Sequence, residues 1–288
     1  MTMKANLTLS YKTQKIIGNI LKYIVSIGII CLVLGPILVI LFASFKTKGD
    51  MVTSSPLLLP ELSKITFKNY QKVLGNKMLL SAFKNSFIIV FVSVFFNVFL
   101  GSVTAYCLER FNFKFKNLVF GLFIMGMMIP TFVTEIARFK VIQSMGLYNT
   151  LGAPIIIYIA SDLMQIYIYR QFIAKIPVSL DESALVDGCS YFRLFAQIIF
   201  PLLAPATATL IIIKSVNIIN DMYIPYLYMP NNKLKTLTTF LMDFAGAQQG
   251  SWQKLSAAIV IVMIPTVIIY IFFQKYILEG ISAGAVKE

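Results

Sequence analysis

The sequence predicts an all-α membrane protein, one domain over residues 1–288 with six transmembrane helices. The first observation is composition: 58% of the 288 residues are hydrophobic and 13% charged, against about 45–50% and about 25% in soluble domains. The second is that the apolar residues fall into separate runs of about twenty, the length that crosses a hydrocarbon core about 30 Å thick at 1.5 Å per residue. The third is that these runs are continuous, without the alternation of membrane barrel strands. Backbone polar groups in lipid are satisfied only within a helix or a closed barrel, so helices remain.

The spans fall at approximately 21–45, 83–108, 118–137, 154–172, 201–223 and 255–273. The first follows Lys4, Lys12, Lys15 and Lys22 with no acid among them. Its apolar stretch is longer than that of a secretory signal and no small-x-small site closes it, so an uncleaved first helix is expected. The lysines favour a cytoplasmic N-terminus, and an even number of spans returns the C-terminus to the same side. Counted with these four, Lys and Arg divide equally between the two sides. Seven lie in or beside the loop from Lys46 to Lys84, and long translocated loops are less bound by the charge rule. That loop is expected to hold a short helix near 67–74. The third span carries Gly121, Gly126 and Pro130, suited to close packing and bending. Leu237 to Phe244, followed by Gly246 and Gly250, reads as an interfacial helix.

Several function classes are disfavoured. The net charge of +13 comes from Lys and Arg scattered between apolar runs, not from a basic face interleaved with aromatics, so nucleic-acid binding is not expected. Cys31, Cys107 and Cys189 are isolated and odd in number, which fits packing residues and neither a disulfide framework nor a metal site. The chain has no His, which removes the commonest general base and metal ligand. No GxxxxGK[ST] loop is present to cradle ATP phosphates. Ion-gradient transporters are built on internal repeats or broken helices around a midplane ion site, and no such symmetry is visible.

Charges inside spans cost about 2.5–3.5 kcal/mol at the helix centre, so each invites a functional reading beside a structural one. Asp162 in the fourth span and Lys214 in the fifth fall at similar depth. A structural ion pair, contact with solute and snorkelling all remain open. On the fifth span Thr207, Lys214, Asn217 and Asp221 share one face at helical spacing. Such a stripe suits the lining of a path for a hydroxyl-rich solute, and equally polar packing between helices.

Between the fourth and fifth spans, over 175–201, the chain reads Lys175-Ile176-Pro177-Val178-Ser179-Leu180-Asp181-Glu182-Ser183-Ala184-Leu185-Val186-Asp187-Gly188-Cys189-Ser190, continuing to Ile198-Ile199-Phe200-Pro201. Ser179 and Glu182 have capping-box spacing, Gly188 is placed to end the helix in a left-handed turn, and Ser190 to cap a second one. Leu180, Ala184 and Leu185 then form an apolar knob beside Asp181, Glu182 and Asp187, a shape suited to a socket in another protein.

This loop resembles the EAA motif of permease subunits in binding-protein-dependent ABC importers: Glu-Ala-Ala, three residues, Gly, nine residues, Ile-x-Leu-Pro. Glu182, Ala184, Gly188, Ile198 and Pro201 match, while Ser183 and Phe200 replace the second Ala-type position and the Leu. The ending Phe273-Gln274-Lys275-Tyr276, Gly280 and Gly284-Ala285-Val286-Lys287 is similar to that of carbohydrate permeases of the maltose-permease kind. Asn220-Asp221 with Pro225 is similar to a stretch of the same branch, with Ile219 in place of its Trp. The resemblance implies the type I ABC importer permease fold, in a bacterial cell membrane, with the loop as a cytoplasmic coupling helix. It implies roles in ATPase coupling for Glu182, Ser183, Ala184, Asp187, Gly188 and Pro201. It further implies two cytoplasmic ATPase subunits that bind ATP and Mg, a second homologous permease, an extracytoplasmic solute-binding protein and a carbohydrate solute. The nearest rival is the same architecture serving peptides, amino acids or phosphate esters. No metal or cofactor is expected on this chain.

Overall fold

The structure is a computed structural model of the chain. It describes residues 2–55, 57–160, 162–245 and 251–285, with side chains described over 13–273 apart from Val52. Gly246, Gly250, Val286 and Lys287 lie outside the described residues, as do the side chains of Gln274, Lys275 and Tyr276. Every regular element among the described residues is a helix. Three are long and apolar enough to cross a membrane singly: α1 (Thr2–Ser44), α4 (Lys77–Arg110) and α15 (Trp252–Ala285). They contain the first, second and sixth expected spans.

The other three expected spans are not single straight helices. Each corresponds to a bent pair, so the described residues hold three candidate crossings, or up to six if each pair is one crossing. Residues 118–137 divide into α5 (Lys116–Met128) and α6 (Thr131–Ser144), which meet at 106°. Pro130 is the cause: it has no N–H to continue the ladder and drives Ile129 before it into extended backbone (φ −83°, ψ 119°). Residues 154–172 divide into α7 (Gly152–Ile159) and α8 (Leu163–Ala174), at 45°. The fifth span is reached through α10 (Tyr191–Leu194), a π-helical turn over Phe195–Ile199 and α11 (Phe200–Leu202), which meet α12 (Ala204–Asn220) at 76°. Pro201 and Pro205 stand on either side of that bend.

Contacts divide the chain into two compact units, residues 1–75 with 244–261 and residues 76–243 with 262–288. In the first, α1 is followed by α2 (Lys48–Thr53) and α3 (Lys68–Leu74), the latter close to the expected 67–74. The wholly buried Lys46 donates from Nζ to Ser54 Oγ (3.0 Å) and the Ser55 carbonyl (2.7 Å). Asn69 donates to the Ser44 and Lys46 carbonyls, closing backbone acceptors that a helix end leaves open. A capping box between Thr47 and Asp50 starts α2, and the Thr47 hydroxyl holds the Asp50 carboxyl below its ordinary range.

In the second unit, α4 is the axis on which α7, α8 and α12 pack. Its buried face alternates apolar side chains with Asn85, Ser86, Ser93, Asn97 and Ser102. Toward the Arg110 end, Tyr106 and Leu108 join Ile166, Tyr169 and Ile173 of α8 and Leu194, Phe195 and Leu203 in one apolar core. At Gly101 α4 and α8 approach so closely that a Cβ would lie 2.4 Å from the side chain of Gln165. α13 (Tyr223–Tyr228) and α14 (Leu237–Ala245) follow α12. The helix expected from Leu237 is present as α14.

Candidate functional site: elbow and polar cleft

The loop over 175–201 folds into a helical elbow on which α9 (Val178–Val186) is followed by α10. Its start differs from expectation. Pro177 occupies the cap position at φ −58°, ψ 135° with no side-chain cap bond, so Ser179 lies inside the helix and forms no capping box with Glu182. A proline fixes its own φ and offers no side-chain acceptor, so the helix starts here without a hydroxyl cap. The end is as expected. Gly188 adopts φ +80°, its N–H donates to the Leu185 carbonyl and that of Cys189 to the Ala184 carbonyl, both at 3.0 Å, which is the Schellman pairing that closes a helix. Ser190 caps α10 by accepting from the Arg193 N–H.

The knob also needs correcting. Ala184 and Leu185 pack against the chain's own core while Leu180 stays exposed, so the apolar side expected to enter a partner's socket is in part turned inward. The outward face carries Val178, Leu180, Glu182, Ser183, Val186 and Asp187, and Tyr191 and Phe192 of α10 lie exposed beside it. Val186 is 87% and Phe192 72% exposed. Pro201 is exposed within α11, at the bend.

A residue that sequence reasoning left in the acidic group, Asp181, is buried. Its Oδ2 lies 2.9 Å from Nε of Arg110, the last residue of α4, and both side chains are about nine-tenths buried. Nη2 of Arg110 donates to the Ile176 carbonyl at 2.7 Å, just before the elbow begins. Removing one partner from such a pair strands the other charge, at about 3–5 kcal/mol. Next to it, Glu109 pairs with Arg170 of α8 at 2.8 Å. The only signal in the sequence was a basic residue closing the second span and an acidic residue on the loop between the fourth and fifth.

The second cluster surrounds the α7–α8 break. Asp162 is not in mid-helix: it is the N-cap of α8, accepting from the Gln165 N–H at 2.8 Å, and it pairs with Lys214 of α12. The structure therefore carries the ion-pair reading, at a helix break where a carboxylate also serves the helix N-terminus. Asn97 of α4 donates to the Tyr158 and Ala160 carbonyls (3.2 and 2.8 Å), and Gln165 donates to the Asn97 carbonyl at 2.9 Å. Asn97 thereby satisfies carbonyls that the break frees, as a membrane-embedded break requires, and Gln165 ties α8 to α4.

Lys214, Asn217 and Asp221 line one cleft of about 180 Å³ together with Tyr158 and Ala160. Thr207 does not join them: its hydroxyl pairs with Tyr169 of α8 at 3.1 Å. Asp221 caps α13, accepting from the Tyr223 and Ile224 N–H groups and from the Tyr158 hydroxyl. Asn217 is exposed. Asp162 itself lines a larger cleft of about 690 Å³, with Val119, Phe123, Gly126 and Met127 of α5 and with Leu163 and Met164. Glu135 of α6, which sequence reasoning missed, is buried, accepts from the Tyr228 hydroxyl at 2.6 Å and pairs with Arg138.

Comparison with known proteins follows the same lines. Residues 97–282 match the family model described as binding-protein-dependent transport system inner membrane component. The melibiose/raffinose/stachyose import permease MelC of Bacillus subtilis is 34% identical over 88% of this chain and 91% of its own length. The diacetylchitobiose uptake system permease NgcG of Streptomyces coelicolor is 29% identical over 89% of this chain and 85% of its own. A chain in the crystal structure of a bacterial ABC transporter that imports the acidic polysaccharide alginate superposes with a TM-score of 0.80 at 22% identity, covering 90% of this chain and 96% of that one. The chain belongs to the family of binding-protein-dependent transport system inner membrane components, and is a membrane permease rather than an enzyme.

Proposed function

We propose that this chain is the sugar-translocating permease of an ATP-driven importer in a bacterial inner membrane, driven through the elbow by separate ATPase subunits. The observation that carries the reading is α9 with its neighbour α10: a short helix closed by Gly188, held on one side by the chain's own core and exposing Val186, Glu182 and Phe192 on the other. That face is too apolar to be left to water and is set off by acids, the profile of a docking surface. The chain has no phosphate-cradling loop, so hydrolysis belongs to a partner. The full transporter then comprises two cytoplasmic ATPase subunits holding ATP and Mg, a second homologous permease and an extracytoplasmic solute-binding protein. The elbow and both termini are cytoplasmic.

The solute class follows from the relatives, which carry names of oligosaccharide import permeases, and from the chemistry of the smaller cleft. A sugar is held by amides, carboxylates and aromatic faces, and Asn217, Asp221 and Tyr158 supply these on α12 and α7. The test is reconstitution with the ATPases, the second permease and the binding protein in proteoliposomes. Raffinose or another oligosaccharide is expected to raise ATP hydrolysis severalfold while a dipeptide does not. Stimulation by the dipeptide alone would overturn the sugar reading. Uptake that persists without ATP and collapses with the ion gradient would overturn the ATP-driven one.

A further inference from the structure

The structure assigns to Arg110 and Asp181 a positioning role: they latch the elbow to the cytoplasmic-side end of α4, so that displacement of the elbow is delivered to the helix that holds the broken span. This inference rests on the coupling reading above and adds the route by which a push on α9 reaches the polar cleft.

Three observations carry it. Asp181 is buried on a helix whose other acids, Glu182 and Asp187, are exposed, and burying a carboxylate on a surface helix needs a reason. Its partner is the terminal residue of α4, and the same guanidinium also holds the Ile176 carbonyl. One fork therefore grips the elbow at two points, before its first turn and on it. Third, Asp181 Oδ1 and Arg110 Nε are both buried with no hydrogen-bond partner, so the pair is held at 2.9 Å by its charges. A guanidinium facing a carboxylate with a donor and an acceptor still open can rotate and form hydrogen bonds without separating the charges. A latch with a spare acceptor can thus stay closed while the elbow tilts, which a saturated pair could not do.

From the latch α4 leads straight to the break. Asn97 and Gly101, on the same helix, hold the α7–α8 carbonyls and the Gln165 side chain, and Asp162 at that break pairs with Lys214 beside the cleft. Glu109, adjacent to Arg110, grips Arg170 of α8, so α4 and α8 are constrained to move together at the same end. Packed elements of this kind shift between discrete arrangements and do not bend continuously.

The test uses the purified complex with its ATPase subunits and second permease, carrying a spin label introduced by Phe91→Cys on the exposed face of α4, in a background lacking Cys31, Cys107 and Cys189. Addition of ATP and vanadate is expected to change the mobility of that label in the otherwise unaltered chain. Arg110→Glu and Asp181→Arg each abolish the response at least fivefold while the ATPase still co-elutes. The double exchange Arg110→Glu with Asp181→Arg restores it to within twofold, and Arg110→Lys, which keeps charge and loses the fork, restores it in part. A response unchanged in either single variant overturns the latch. So does loss of ATPase co-elution in both single variants that the double exchange fails to repair, since the pair then only maintains the fold, and so does a silent label in the unaltered chain. Val186→Glu on the outward face separates the two ideas: if it leaves ATPase co-elution unchanged, the coupling reading itself fails.

Discussion

Gly188 shows what one residue contributes to the elbow. Its φ of +80° is open to glycine and strained for other residues, and a Cβ placed there would touch nothing within 4 Å. The penalty for replacing it is therefore in the backbone, about 1–2 kcal/mol for a residue forced into the left-handed region. Gly188→Ala is expected to weaken uptake without abolishing it. Gly188→Arg adds a bulky charge at the docking face and is expected to abolish uptake and ATPase association while membrane insertion, followed by fractionation, stays normal. This glycine was legible in the sequence because its spacing and its turn chemistry point the same way. The opposite end was not. Ser179 and Glu182 carry capping-box spacing, but Pro177 two residues earlier starts the helix first and moves both inside it. Asp181 was legible as an acid and illegible as a latch, since nothing local marks which of three neighbouring carboxylates turns inward.

At the scale of elements, the apolar runs identify where helices lie but hide where they break. Hydropathy is continuous through 154–172, so Asp162 reads as a charge in mid-span, whereas it caps a new helix after a 45° bend. A polar residue within an apolar run is the one trace such a break leaves. The same explanation covers Asn97 and Gln165, whose partners are backbone atoms that no side-chain pattern records. Pro130 was legible as a bend and not as a turn of 106°, because the angle depends on what α6 packs against, here through Glu135 and Tyr228. The dual role of Asp162 gives a graded expectation. Asp162→Asn retains an N-cap acceptor and loses the ion pair; Asp162→Ala loses both and is expected to be less stable than Asn by about 1 kcal/mol, the usual worth of a cap. Unfolding midpoints of the two variants in detergent measure the difference, and equal midpoints would show that the cap contributes nothing.

For the whole molecule, composition alone requires a membrane, and the structure deepens the requirement. The apolar window of α1 has none of its residues buried, so that helix depends on lipid or on another chain to cover it. The family match over 97–282 takes in the elbow, both clefts and the latch, which places the machinery in the shared part of the chain and leaves the first 96 residues outside it. The clefts are bordered by residues such as Asn217 and Met127 that stand exposed, as expected of half of a path completed by a second permease. The proposed coupling to a separate ATPase requires the elbow to face the cytoplasm. The most direct measurement introduces Val186→Cys into a chain without its three native cysteines and asks from which side of the membrane a membrane-impermeant maleimide reaches it. Labelling confined to inside-out vesicles, blocked when the ATPase subunits are bound and accompanied by a cross-link to them, is the predicted result; labelling of intact cells from the outside would contradict the account.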